Sequence, residues 1–422
     1  MPFAYHKKLA IETRPEAEVL FQCARTHVDA ETAHRIKALI REDLDWRYLL
    51  RAAYRHRVGS LIYWQLKATC AEAVPKDILN RLQDRFRQTN KRNLLLASEL
   101  RRILKLFEAE GIPVMPFKGP VLAVAVYGNL ALRQFDDLDM LIRRQDALRA
   151  KDSLISQGYR PQYRLNRAQE ASYMQTECEF SFLHESGVFQ VEIHWDFLPQ
   201  YFSMQFDTEG IWERVERASL GGLGVPTLAP EDLLLFLCAH GSKHHWERLS
   251  WICDIAELIH ARPDLRWEAV IEQARISGGE RMLLVGLSLA NDLLGAMPPA
   301  YVLERMQADS AVKSLSARVR GRLQRDIQRE PNTWERKLLF TNIRIFHLRV
   351  RERPLDRIRY FFRMALTPTV QETIAFPLPL PRFLYPLYYL LRPVRFIEKH
   401  WRRMWSRFSR SANRTMTLRG EG

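Results

Sequence analysis

IPVMPFKGPVLAVAVYGNLALRQFDDLDMLI (residues 112–142) and FQVEIHWDF (residues 189–197) are the stretches that decide this chain's fold. The first opens with an apolar run over residues 112–117, which reads as a strand. Lys118–Gly119 then makes a tight turn, and the small apolar residues after it suit a short helix. Residues 137–142 alternate and read as a second strand, carrying Asp137 and Asp139. Residues 180–184 and 188–196 flank ESG, a hairpin signal, and the latter strand carries Glu192. Residues two apart on a strand point to the same side, so Asp137 and Asp139 face one point. Glu192 on a neighbouring strand would supply a third oxygen donor there. Three convergent carboxylates beside a glycine turn form the donor set that holds Mg²⁺ against a nucleoside triphosphate.

The surrounding residues fit that chemistry. Gly119 lets the backbone approach phosphate closely, at a helix N-terminus whose N–H groups favour anions. Lys118 and Arg133 are candidate cations for the phosphates. The plainer reading makes DDLD a solvated strand end, Lys118 a surface lysine and Glu192 an exposed strand residue. The Lys-Gly turn, Arg133 and VEIHW in this order favour a site. Asp136 points to the other strand face and reads as solvated or turn-forming. His194 shares a face with Glu192; it would orient that carboxylate, touch the nucleotide, or serve as a structural histidine. Trp195 faces the opposite side, toward a core.

Further along, LCAHGSKHHWERLSWICDIAEL (residues 237–258) reads as helical. His240 and His244 share a helix face, but HGSKH lacks the glutamate of H-E-x-x-H, so zinc is not expected. Lys243, or one of His240 and His244, facing the sheet would contact phosphate. Asp254 falls fourteen residues after His240, near the same helix face, which suggests a pair. The phosphate loop G-x-x-x-x-G-K-[ST], the dinucleotide fingerprint G-x-G-x-x-G and the nucleophile elbow G-x-S-x-G are all missing.

On Lys118, Gly119, Tyr127, Arg133, Asp137, Asp139, Glu192, His194 and Trp195, the chain resembles the nucleotidyltransferase superfamily of the DNA polymerase β type. More narrowly, it resembles a bacterial nucleotidyltransferase group often associated with polysaccharide-type gene clusters. The resemblance covers roughly residues 35–265. It implies an Mg²⁺-dependent transfer of NMP from an NTP to an acceptor that the sequence does not identify. Asp137 and Asp139 would bind the metal, and Glu192 would hold a second metal or act as general base. Lys118, Gly119, Arg133, His194, Lys243 and His244 would contact the nucleotide. The wider superfamily usually has Gly-Gly or Gly-Ser at the turn and a shorter gap before the aspartates. A phosphotransferase on the same fold and a non-catalytic membrane-associated adaptor remain open readings.

The rest of the chain frames that core. With 422 residues and 47% hydrophobic composition, it has room for two or three domains. The expected fold class is α+β. Residues 1–110 form an N-terminal helical segment, 111–220 a small mixed-sheet core, 221–336 a C-terminal helical domain, and 337–422 a basic aromatic tail. Residues 221–230, GGLGVPTLAP, read as a loop. Net charge is +15, and residues 341–422 hold 17 Lys/Arg against 5 Asp/Glu, which is +12 of it. A general nucleic-acid binder would spread its charge over the fold, so no strong nucleic-acid signal is read. Residues 376–410 interleave aromatics with arginine. Within them Phe396, Ile397, Trp401, Met404, Trp405 and Phe408 share one face of a basic amphipathic helix suited to an anionic membrane surface. A nucleic-acid or partner-protein contact is the rival reading. Five well-separated cysteines without C-x-x-C suggest reduced, buried thiols and a cytoplasmic setting. Neither a signal peptide nor a spanning segment is read, so peripheral attachment to the inner face of the membrane is the expectation.

Overall fold

The computed structural model describes residues 14–328 and 343–366. Five helices come first: α1 (Pro15–Cys23), α2 (Ala30–Ile40), α3 (Trp46–Arg55), α4 (Gly59–Cys70) and α5 (Lys76–Ala109). Asp29 and Asp45 cap α2 and α3, their carboxylates accepting the N–H groups of Thr32 and Tyr48. In α5 the buried Leu96, Leu100, Ile103 and Phe107 form one apolar stripe. That helix stops at Gly111, whose φ is +64°. The N–H groups of Gly111 and Ile112 return to the carbonyls of Glu108 and Phe107, which closes the last turn as a Schellman motif.

The sheet core follows as β1 (Val114–Pro116), α6 (Gly119–Tyr127), β2 (Asp137–Ile142), α7 (Ala147–Ser156), β3 (Tyr159–Pro161), α8 (Arg167–Thr176), β4 (Glu179–His184) and β5 (Gln190–His194). The five strands lie in the order β1-β2-β5-β4-β3. Only β2 and β5 run parallel, with Asp139 opposite Glu192; the other neighbours are antiparallel. Alternation sorts the two faces. Leu138, Met140, Val191, Ile193 and Phe182 are buried on one, toward which α5 and α7 pack. Asp137, Asp139, Glu192 and His194 share the other. β1 is shorter than the apolar run 112–117 suggests, because Pro113 and Pro116 have no N–H to donate to a ladder.

Next come α9 (Thr208–Glu213), β6 (Glu216–Leu220) and β7 (Leu223–Thr227). The stretch 221–230, which composition reads as a loop, is therefore largely the turn and second strand of a hairpin. Gly221 and Gly222 take φ of +59° and +81° at its two-residue turn, where mirror-image turns match strand twist.

The C-terminal helices are α10 (Pro230–Lys243), α11 (Leu249–Ala261), α12 (Trp267–Ser277), α13 (Glu280–Leu294), α14 (Ala300–Ala308), α15 (Ser310–Gln328) and α16 (Pro354–Leu366). α13 is apolar nearly all round, with a continuous buried run from Met282 to Ala290, so it sits among α10, α11, α12 and α15. The N-terminal α1 also packs against α13 and α15. There Glu257 accepts from both the backbone N–H and the hydroxyl of Thr26.

The chain falls into two compact units. Among the described residues, one comprises 14–162, 179–197, 204–328 and 343–353, and holds both sheets. The other comprises 163–178, 198–203 and 354–366; within it α8 and α16 pack on the short 3₁₀ turn Gln200–Phe202. Among the described residues, no helix is long and apolar enough to cross a membrane. Of the expected basic tail, Phe346 and Val350 are fully buried, while the aromatic-arginine stretch 376–410 lies outside the described residues.

Candidate active site

Register alone gathers the acidic groups. Parallel pairing of β2 with β5 sets Asp139 beside Glu192, and antiparallel pairing of β4 with β5 sets Glu179 beside His194. Lys118 is the residue just before α6. Gly119 follows with φ +57°, and a Cβ there would lie 3.2 Å from the Asp137 carbonyl oxygen. Both the backbone angle and the close approach call for glycine. The turn delivers Lys118 Nζ to 2.6 Å from Asp139 Oδ1. His194 lies between three carboxylates: Nε2 is 3.3 Å from Asp139 Oδ1 and 3.6 Å from Glu192 Oε2, and Nδ1 is 3.2 Å from Glu179 Oε2. Asp139 is 2% exposed, and its second oxygen, Oδ2, has no hydrogen-bond partner.

Burial and crowding pull the two aspartates apart. Burial would raise Asp139, but Lys118 and His194 beside it hold its carboxyl well below the ordinary range. Burial, then the neighbouring Asp139, push Asp137 up to about 6. Burial works against the Lys118 ammonium, yet Asp139, Asp137 and Glu192 keep its pKa above the usual lysine value. Glu179 would also rise on burial; His194, Lys243 and Lys118 outweigh that and hold it low. Asp139 and Glu179 thus stay charged, as a cation-binding cluster requires.

These groups line a cavity of about 300 Å³. The sheet supplies one wall, and α10 and α11 supply the other. Phe117 stacks edge-on against His194, Phe197 and Phe236, with centroids 5.0–5.2 Å apart. Across the cavity the His240 and His244 rings lie 4.6 Å apart, and each packs against Trp251. Burial, followed by Lys118 and other nearby cations, pushes His240 far below the usual imidazole value, so it is neutral at pH 7. Among the described residues, no group of potential metal ligands includes His240 or His244.

A family model described as uncharacterised nucleotidyltransferase matches residues 42–295, more than half of the chain. The chain belongs to that family. Its solved neighbours include a lincomycin-bound lincosamide antibiotic adenylyltransferase, LnuA, at 21% identity and TM-score 0.27, covering 38% of this chain and 94% of that one. Another is an antigenic nucleotidyltransferase-like protein from Paracoccidioides brasiliensis, at 14% identity and TM-score 0.28, covering 50% and 96%. No curated protein matches the chain.

In this nucleotidyltransferase, Lys118, Arg133, Asp137, Asp139, Glu192, His194, Lys243 and His244 all line the one cavity. Gly119 is not among the lining residues; its turn sets Lys118 in the cavity wall. Arg133 does not project as an isolated cation. Two of its nitrogens donate to Asp254 at 2.7 and 2.9 Å, and Tyr127 donates to the same carboxylate at 2.6 Å. Asp254 therefore partners Arg133 and Tyr127 rather than His240. The helix breaks after Lys243 and restarts at Leu249, so counting turns from His240 to Asp254 loses the phase. Asp136 is an ion-pair partner of Arg57 and of Arg92, not a merely solvated residue. Sequence reasoning misses Glu179, Arg57, Phe236, Arg248 and Trp251 as lining residues. Glu179 had a signal, since it lies two residues before Ser181 on the face that meets Glu192.

Proposed function

We propose that the chain is an Mg²⁺-dependent nucleotidyltransferase that moves an NMP from an NTP to an acceptor hydroxyl. The observation that carries this reading is the β2–β5 pairing, which aligns Asp139 with Glu192 and keeps Asp137 on their face beside the Lys118–Gly119 turn. A buried carboxylate oxygen without a partner, Asp139 Oδ2, fits a cation, because such an atom is costly unless something positive meets it. Asp137, Asp139 and Glu192 would hold the metal. When bound, Mg²⁺ supplies neutralisation of the charge that builds on the α-phosphoryl oxygens. Lys118 binds the outer phosphates, and the backbone at Gly119 admits them closely. Glu192 accepts the proton of the acceptor hydroxyl. The acceptor O–Pα bond forms as the Pα–O bond to the β-phosphate breaks, and pyrophosphate leaves.

The resemblance to a bacterial group often associated with polysaccharide-type gene clusters supports a polysaccharide precursor as the acceptor. The charge concentrated in residues 341–422 supports attachment to an anionic membrane surface. Product analysis tests the transfer itself. Incubation with MgCl₂, an α-labelled NTP and a bacterial envelope-precursor extract is expected to release pyrophosphate and label the acceptor. Release of NDP with transfer of the γ-label would instead make the chain a phosphotransferase.

A further inference from the structure

An all-oxygen metal site needs no ring nitrogen between its carboxylates, yet His194 occupies that position. Its Nε2 faces Asp139 and Glu192 at 3.3 and 3.6 Å, and one donor atom from each of the three residues lies within 4.8 Å of the others. Glu179 stands on the far side of the ring, 3.2 Å from Nδ1. A carboxylate accepting from Nδ1–H fixes that proton and aims Nε2 at Asp139 and Glu192. In the metal-free protein a proton on Nε2 serves Asp139, and a divalent cation between the three residues would take that proton's place. A carboxylate behind the ring is the arrangement that orients and strengthens metal-binding histidines. Asp139 supplies the independent sign: it is 2% exposed, Lys118 meets Oδ1, and Oδ2 has no partner.

We propose that Asp139, Glu192 and His194 hold a divalent cation through two carboxylates and one imidazole nitrogen, and that this position takes Mn²⁺ in preference to Mg²⁺. The inference rests on the reading that Asp139 and Glu192 bind metal, and adds the nitrogen donor and its consequence. Mg²⁺ strongly prefers oxygen and retains its waters. A nitrogen donor shifts preference toward transition metals, and two carboxylates keep Mn²⁺ within the range the site accepts. Glu179 is a positioning residue acting through His194.

Mn²⁺ titration of the nucleotide-free full chain, followed by electron paramagnetic resonance, tests this without relying on turnover. The expected result is one bound Mn²⁺ with imidazole ¹⁴N modulation, replaced by ¹⁵N coupling in histidine-labelled protein. Mg²⁺ should displace it only in large excess. His194→Gln should lose the modulation and lower Mn²⁺ affinity to the Mg²⁺ level. Glu179→Gln should weaken Mn²⁺ by ~10–100-fold, as removal of an outer carboxylate does. If His194→Gln fails to fold, the double variant His240→Asn/His244→Asn makes the assignment by retaining the modulation. Bound Mn²⁺ without imidazole modulation, or modulation lost in the double variant, overturns the proposal. Pyrophosphate release with Mg²⁺ in that case leaves the transferase reading standing alone; absence of pyrophosphate alongside intact modulation withdraws the transferase reading and keeps the metal site.

Discussion

The two walls of the cavity are built by different rules. On the strand wall, a period of two and one parallel pairing fix which side chains meet, so the four carboxylates and His194 follow from register. On the helix wall, α10 ends and α11 begins through residues 244–248, where His245 and Trp246 take φ of +57° and +54°. The Trp246 ring is fully buried there, against Gly241 and Gly286. One wall is set by regularity and the other by an interruption. Substitutions on the strand wall should therefore change chemistry at little cost to folding, whereas those supporting the helix wall should do the reverse.

The sharpest test of that contrast is Asp137→Asn. It leaves the Lys118–Asp139 pair in place, so urea unfolding at pH 7 should show a folded protein that is no less stable. Turnover should fall by several kcal/mol of lost metal-assisted stabilisation, ~10²-fold or more. Mg²⁺-dependent NTP affinity by titration calorimetry should fall with it. Wild-type turnover in this variant would place the chemistry elsewhere.

The opposite pattern is expected at Asp254 in the helix wall, where its carboxylate anchors Arg133. Its carboxylate receives the Arg133 guanidinium and the Tyr127 hydroxyl in a buried cluster. Burial would weaken the Arg133 charge, but Asp254 holds its pKa above the usual value. Asp254→Asn leaves that charge uncompensated, at a cost of ~3–5 kcal/mol. Tyr127→Phe removes one hydrogen bond to a charged group and should cost ~1.5–3 kcal/mol. Denaturant midpoints measure both. A large turnover defect without a stability loss would make this cluster part of the chemistry and erase the distinction between the walls.

What the sequence makes legible follows the same division. The strands bearing Asp137, Asp139 and Glu192 stand out because alternation is a local property, and the α+β class follows from them. Glu179 escapes notice because β4 starts one residue before the apolar run 180–184. The hairpin of β6 and β7 is hidden because glycine and proline dominate residues 221–230, though Leu-Gly-Gly-Leu is itself a two-residue turn pattern. The Arg133–Asp254 pair spans 121 residues, and no local signal announces it. His240 and Asp254 illustrate the error most plainly: helical phase carries over only while the helix continues.

A smaller effect probes the interruption directly. A Cβ at Gly241 would lie 2.3 Å from the Trp246 ring, and one at Gly286 would lie 2.5 Å from Cys238 Sγ. Both are overpacked positions, and Gly241→Ala should cost ~1–3 kcal/mol through displacement of Trp246. Unfolding curves with tryptophan fluorescence give the value. Nucleotide affinity should change little, because the cost falls on the packing of Trp246 rather than on the strand wall. Unchanged stability would mean that the interruption is loosely set and that the helix wall tolerates rearrangement.

The finest test separates the two aspartates of the strand wall by pH. In metal-free protein, burial and Asp139 push Asp137 up to about 6 from an ordinary 3.8. The folded state therefore binds more protons at this residue than the unfolded state between those values. Stability attributable to Asp137 falls as pH rises through that window, and the penalty is complete above it. Asp139 has the opposite sign: with its pKa held low by Lys118 and His194 despite burial, its contribution is present above 3.8 and is lost only as pH falls further. Asp137→Asn removes the first dependence and leaves the second. The stability difference between Asp137→Asn and wild type should thus grow in the variant's favour from pH 4 to pH 6.5, then level off, in urea unfolding with chelator present. A difference that stays flat across this range would mean that Asp137 is solvated, and the strand wall would then lack the crowding of charge that makes it ready for a cation.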